Sequence, residues 1–163
     1  MIASELVDDQ VVTDGLIEAL RTYSELVTIG AAVHQHVGGT VGDGDSPAVA
    51  TVGVFVEVRQ LPDGENPSGG WTQPLGVRGL KYQMHCVGET RQQAQWLGAA
   101  VQRFLFEYAY TGAGDYNGFL NPIPMERHTV IHRELVSNVG AVDSGRSPGH
   151  MLHVRIRVHR SER

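Results

Sequence analysis

A single cysteine, Cys86, rules out an internal disulfide and leaves no cysteine set from which to build a zinc site. No apolar run approaches the roughly 20 residues that a membrane-crossing helix needs. The opening residues, Met1 to Asp9, show neither a charged n-region nor an apolar h-region. The expectation is a protein made and folded in a cytoplasm, with no membrane partner. A basic excess is missing too: 13 Lys and Arg stand against 18 Asp and Glu, giving a net charge of −5 and a pI near 5.9. Such a balance argues against general nucleic-acid binding through a basic surface.

Catalytic and cofactor signatures are also absent. There is no HExxH, no Walker lysine, no GxGxxG between a strand and a helix, and no GxSxG elbow. Asp43-x-Asp45 sits in a glycine-rich loop, but a calcium loop counted from Asp43 would need a Glu where Val54 stands. Cys86 alternates with apolar residues on an expected strand, which suits a buried, inert thiol better than a nucleophile. The expectation is a protein without cofactor or metal, and not an enzyme.

What the chain does contain is ordinary globular material: 163 residues, 41% hydrophobic and 19% charged. A length in the range of roughly 100–200 residues fits one domain, here 1–163. Glycine is over-represented, at 20 residues, and gathers between the periodic segments. Long loops are therefore expected at about 38–47, 61–76 and 111–127. The stretch Leu61–Pro74 consists of turn-formers throughout, and loops of that length are usually functional.

Between the loops the periodicity changes from helix to strand and back. Leu16, Ile17, Leu20, Tyr23 and Val27 recur at helical spacing, predicting a helix from about Thr13 to Val27 with Thr13 or Asp14 as its N-cap. Strands are predicted at about Val49–Arg59 and Val77–Val87, pairing as an antiparallel hairpin. In the second of these, Leu80, Tyr82, Met84 and Cys86 oppose Lys81, Gln83 and His85. Thr90-Arg91-Gln92-Gln93 fits a capping box and opens a second helix, its face carried by Ala94, Leu97, Val101, Phe104, Leu105 and Tyr108 as far as Tyr110. Gly112 and Gly114 are expected to end it. A third strand, about His128–Val136, alternates poorly because Arg133 shares a face with Ile131 and Leu135. In the fourth, about Met151–Arg160, Leu152, Val154, Ile156 and Val158 face the core. The order helix-strand-strand-helix-strand-strand predicts an α+β fold, a mostly antiparallel sheet with two amphipathic helices packed on one face.

Charge is unevenly placed. Glu5, Asp8, Asp9, Asp14, Glu18 and Glu25 precede residue 26 against one Arg21, while Arg155, Arg157, Arg160 and Arg163 close the chain against Glu162. The two ends are either solvated faces or surfaces that pair head to tail between copies. Eight histidines raise a metal question. His34-x-His36 would place both rings on one side if that segment were strand, and His128 stands four before His132, but no acidic residue sits at the expected offset. The pattern that stands out is the outward face of the last strand, His153, Arg155, Arg157 and His159, with Lys81, Gln83 and His85 on another polar strand face. That face is either the solvated side of a one-layer sheet or a contact surface for acidic partners or DNA.

The run Arg78-Gly79-Leu80-Lys81-Tyr82-Gln83, leading into Gly88-Glu89-Thr90-Arg91-Gln92-Gln93-Ala94-Gln95-Trp96-Leu97, resembles the tail terminator family of long-tailed bacteriophages. The resemblance covers about Thr13 to His159 as an order of elements, without an invariant motif. It implies a virion protein that forms a ring, usually of about six copies, on the head-proximal end of the tail tube. Such a ring ends tube polymerisation and offers a docking surface for head–tail joining. The implied partners are further copies of the chain, the tail tube protein and a connector or stopper protein, with genomic DNA passing through unread. No catalytic residue carries over. The interface expected on this reading comprises His153, Arg155, Arg157, His159 and Lys81, together with Asp63, Glu65 and Trp71 in the long hairpin loop. Rival readings are a stopper or tail completion protein, a small metal-dependent enzyme, and a DNA-contacting module.

Overall fold

A computed structural model describes residues 7–36, 53–62, 76–108, 118–143 and 147–160. The expected loop at 38–47, most of that at 61–76 and the first part, 111–117, of that at 111–127 lie outside the described residues, as do Val49–Val52, Asp63, Glu65 and Trp71.

The chain runs α1 (Asp9–Thr22), α2 (Ser24–Ile29), β1 (Ala32–Gln35), β2 (Phe55–Leu61), β3 (Val77–Val87), α3 (Arg91–Phe106), β4 (His128–Asp143) and β5 (Pro148–Arg160). Five strands form one sheet in the order β1-β2-β3-β5-β4. All neighbours are antiparallel except β1, which runs parallel to β2. This is the α+β class that the sequence predicts, with α1 and α3 both packed on one face of the sheet.

The register shows why alternate residues of β3 and β5 read so clearly. Leu80 pairs with Ile156, Tyr82 with Val154 and Met84 with Leu152, so each apolar residue meets another across the ladder. All six side chains are fully buried. They join Val56 and Val58 of β2, Leu16 and Leu20 of α1, and Leu97, Val101 and Leu105 of α3 in one apolar cluster. Burying one such side chain contributes roughly 1.5–3 kcal/mol, so this layer outweighs any surface interaction described below.

Four elements differ from the sequence expectation. The first helix starts at Asp9, not Thr13, and its cap is Asp8, whose carboxylate accepts from the amides of Gln10 (3.0 Å) and Val11 (3.3 Å). Thr13 is buried inside the helix, its hydroxyl 2.8 Å from the Asp9 carbonyl and 2.9 Å from the Tyr82 hydroxyl. The same helix breaks at Tyr23, which is extended (ψ 124°) and packs its ring 5.1 Å from that of Phe104. Strand β1 was not predicted as an element: four residues are too few to display a period.

The second helix begins as expected, with Gln93 N–H donating to Thr90 Oγ1 at 3.1 Å. The reciprocal bond reaches one residue further back than in a capping box, from Glu89 N–H to Gln93 Oε1 at 2.8 Å. It ends at Phe106 rather than at Tyr110, because Glu107 is extended and Tyr108 bridges to Phe119, stacking on its ring at 4.8 Å. Gly112 and Gly114 lie outside the described residues.

Strand β4 runs to Asp143, well past Val136. Its register slips between Val130 and His132, Leu135 and Ser137, and Asn138 and Gly140. Each extra residue reverses which parity faces the helices, which is why no single alternation is visible in its sequence.

Candidate functional site: the sheet face opposite the helices

Residues paired across a sheet share a face, so the register maps the second face row by row. His34, Glu57, His85 and Met151 form one row. Arg59, Gln83, His153 and Ser137 form the next, then Leu61, Lys81, Arg155 and Glu134. Gly79, Arg157 and His132 follow, and Val77, His159 and Thr129 close the face. The residues expected on two separate polar faces, His153, Arg155, Arg157 and His159 on one and Lys81 on the other, therefore lie together. The structure adds His34, Glu57, Arg59, His132 and Glu134, which sequence reasoning left scattered.

Four fixed cations, Arg59, Lys81, Arg155 and Arg157, share this face with two carboxylates. Both carboxylates are engaged locally. Glu134 Oε2 lies 3.4 Å from Arg155 Nη1. Glu57 Oε1 is 2.8 Å from His36 Nδ1, and Oε2 is 3.6 Å from His34 Nε2, a contact too long for a hydrogen bond. His34 above all, then His36, holds the Glu57 carboxyl below the usual carboxylate range, against the opposing effect of burial. His34 also packs 5.2 Å from the ring of Phe55.

His85 is the most buried of the row. Its ring lies over Gly149, where an added Cβ would come within 2.5 Å of Nε2, so only glycine leaves the ring its place. Burial lowers its pKa from the ordinary histidine value, opposed by the nearby Glu57 charge. Nε2 of His85, Nε2 of His153 and Nε of Arg155 are buried without a hydrogen-bond partner among the described residues.

The histidine patterns resolve differently. His34 and His36 meet a carboxylate that the sequence could not place, because Glu57 arrives from the neighbouring strand through β1, an element too short to predict. Among the described residues, however, no group of three or more His, Cys, Asp or Glu is arranged to hold a metal ion. His128 and His132 are parted by the register slip between them. His132 lies on the cationic face, while His128 is buried on the other, accepting from Asp8 N–H at Nε2 (3.1 Å) with Nδ1 2.7 Å from the Glu126 carbonyl. Cys86 is wholly buried on the helix side, where burial pushes its thiol up to about 12.

The acidic N-terminal segment lies in the helical layer, and part of its charge is spent within the chain. Asp9 pairs with Arg78 and accepts from the Gln60 amide at 2.8 Å. Glu25 receives Arg103 through Nη2 at 2.7 Å and Nε at 2.9 Å. Asp14 and Glu18 remain exposed on the outer surface of α1.

Architecture and face together define a class: an α+β module with one apolar, helix-covered sheet face and one cationic, histidine-rich face. No helix among the described residues is long and apolar enough to cross a membrane. No protein-family model and no curated protein matches the chain. A solved structure of the bacteriophage SPP1 gp17 protein is similar to it, at 16% identity and a TM-score of 0.45, covering 96% of this chain and 91% of that one. That neighbour is a bacteriophage protein.

Proposed function

We propose that the chain is a structural protein of the bacteriophage virion, one tail-terminator-like domain that caps the head-proximal end of the tail tube. Copies close into a ring that ends tube polymerisation and presents the docking surface for a connector or stopper protein. The observation that carries this reading is the segment Arg78–Leu97. It folds as strand, short turn and Thr90-capped helix within a sheet bearing helices on one face, the arrangement that the family resemblance implies. The cationic sheet face supports it further, since His153, Arg155, Arg157, His159 and Lys81 come together on one face. The loop carrying Asp63, Glu65 and Trp71 is assigned the axial contacts with tube or connector on the ground of its length.

Native mass spectrometry with negative-stain imaging of concentrated protein tests the reading. Closed rings of about six copies with a central hole are the expected result, because cyclic closure is what capping requires. Protein that stays monomeric even when mixed with purified tail tubes sinks it.

A further inference from the structure

The two surfaces of this layered domain differ in charge and face opposite ways. The buried residues of α1 and α3 point onto the sheet, so their exposed residues point away from it. On that outer helical surface Asp14 and Glu18 stand four apart, a like-charged spacing that is mildly unfavourable in an isolated helix. Asp14 takes its hydrogen bond from the neutral Gln10 amide (2.7 Å), and Glu18 reaches Arg21 only at 3.7 Å. The same layer exposes Trp96 at 57% and Val27 at 60%, beside the shallow groove between α2 and α3. The exposed carboxylates of α1 and, elsewhere on the same helical layer, an exposed tryptophan are both groups that arginine contacts well, since it takes carboxylates two-pronged and stacks on indole.

The far side of the domain carries more fixed cations, Arg59, Lys81, Arg155 and Arg157, than its two carboxylates, Glu57 and Glu134, can balance. Arg59 is exposed, and Arg155 keeps 32% of its side chain exposed beside its 3.4 Å contact with Glu134. Both carboxylates of that face already have local partners, as described above. The intervening sheet keeps the two surfaces apart, so one molecule cannot satisfy itself.

We propose that these surfaces are the two halves of one interface between successive copies. The helical surface of one copy (Asp14, Glu18 and Trp96) seats on the arginine face (Arg59 and Arg155) of the next. The inference rests on the ring reading and names the contact that propagates the ring. Because the two halves are different, the contact is heterologous and repeats around the assembly until rotation closes it. The alternative occupant of the arginine face, duplex DNA, would leave the acidic helical surface without a role.

A charge exchange tests the pairing. One variant carries Asp14→Arg and Glu18→Arg, the other Arg59→Glu and Arg155→Glu. All four side chains are at least partly exposed, and far-ultraviolet circular dichroism with thermal melts verifies folding. Should either pair unfold the chain, Asp14→Asn with Glu18→Gln and Arg59→Gln with Arg155→Gln replace them. By sedimentation velocity each charge-reversed variant alone should self-associate roughly 100-fold more weakly than wild type, the scale of losing two close charge pairs. Mixed one to one, the reversed variants should assemble again, because every junction then pairs opposite charges. Trp96→Ala should weaken association without any rescue by mixing. Wild-type rings that both variants still form would leave the ring reading standing and overturn this pairing. Variants that are monomeric alone and remain so when mixed also overturn it, as does wild type that never self-associates. Loss of binding to a 30-base-pair duplex by Arg59→Glu with Arg155→Glu, with assembly unchanged, would assign that face to DNA instead.

Discussion

Neighbouring residues of β3 and β5 occupy two different environments. Tyr82, Met84, Val154 and Ile156 are fully buried against the helices, whereas Lys81, Gln83, His153 and Arg155, one residue away in each case, lie on the charged side. The same backbone ladder thus holds a layer that stabilises the fold and a layer that costs stability, since like-charged Lys81 and Arg155 stand directly opposite one another. A protein selected only to fold has no reason to place two cations there. Their juxtaposition is a local cost that the contact surface proposed above would account for.

The sharpest way to break the comparison is to truncate one residue on each side. Ile156→Ala should cost about 2–5 kcal/mol, from lost transfer energy and the cavity left behind. Arg155→Ala, its neighbour, should change stability by less than about 1 kcal/mol, because its pair with Glu134 is partly exposed. Urea unfolding of both variants decides it. Equal losses would show that the charged layer is structural and that its contact role is misplaced.

Arg133 blurs the division and gives the next largest effect. It belongs to the helix side of the sheet yet carries a charge, with only 3% of its surface exposed. Its Nη1 donates to the Leu105 carbonyl at 3.0 Å and its Nη2 to the Asn121 carbonyl at 2.7 Å, while the guanidinium lies 4.7 Å from the centre of the Phe119 ring. Leu105 sits in the last turn of α3, where carbonyls lack helical partners and the dipole is negative. Arg133→Met keeps the bulk but strands both carbonyls, and should cost about 2–4 kcal/mol. A loss below 1 kcal/mol would mean that water replaces the guanidinium, and that the end of α3 is held by something else.

Arg133 also shows where sequence reading stops. In β3 and β5 strict alternation fixed which side each residue takes, and every such assignment holds in the structure. In β4 the same reasoning could not proceed, because three register slips are invisible without the partner strand. The arginine that looked like a broken pattern is a buried anchor. The charged face was legible strand by strand, but its assembly depended on β3 lying between β2 and β5. The clustering of His34 and His36 on Glu57 depended on a parallel strand of four residues. Capping chemistry was legible at Thr90, where the helical period begins at once. At Asp8 it was not, because the apolar stripe becomes regular only after the first turn. Thr13 and Asp14 are good caps by type, but Thr13 is placed inside the helix by its bond to Tyr82.

The smallest expected effect concerns protons, and it separates the two layers by a different variable. His85 is held neutral by burial, so its folded pKa lies below the ordinary value near 6.5. Above that value both folded and unfolded chains carry a neutral ring and the residue adds nothing to pH dependence. Below it the unfolded chain takes up the proton first, and stability declines as pH falls towards the folded pKa. Glu57 acts lower on the same scale. Its folded pKa is depressed from 4.5, so its contribution is complete above that value and is lost as pH falls through the folded one. His150, lowered by burial on the helix side, has the same sign as His85. Urea midpoints should therefore hold steady from pH 8 to about 6.5 and fall on further acidification, with His85→Gln flattening the upper part of that decline. A midpoint unchanged down to pH 5 would show that the His85 ring is solvated. The row around Glu57 would then belong with the open, charged surface rather than with the packed one.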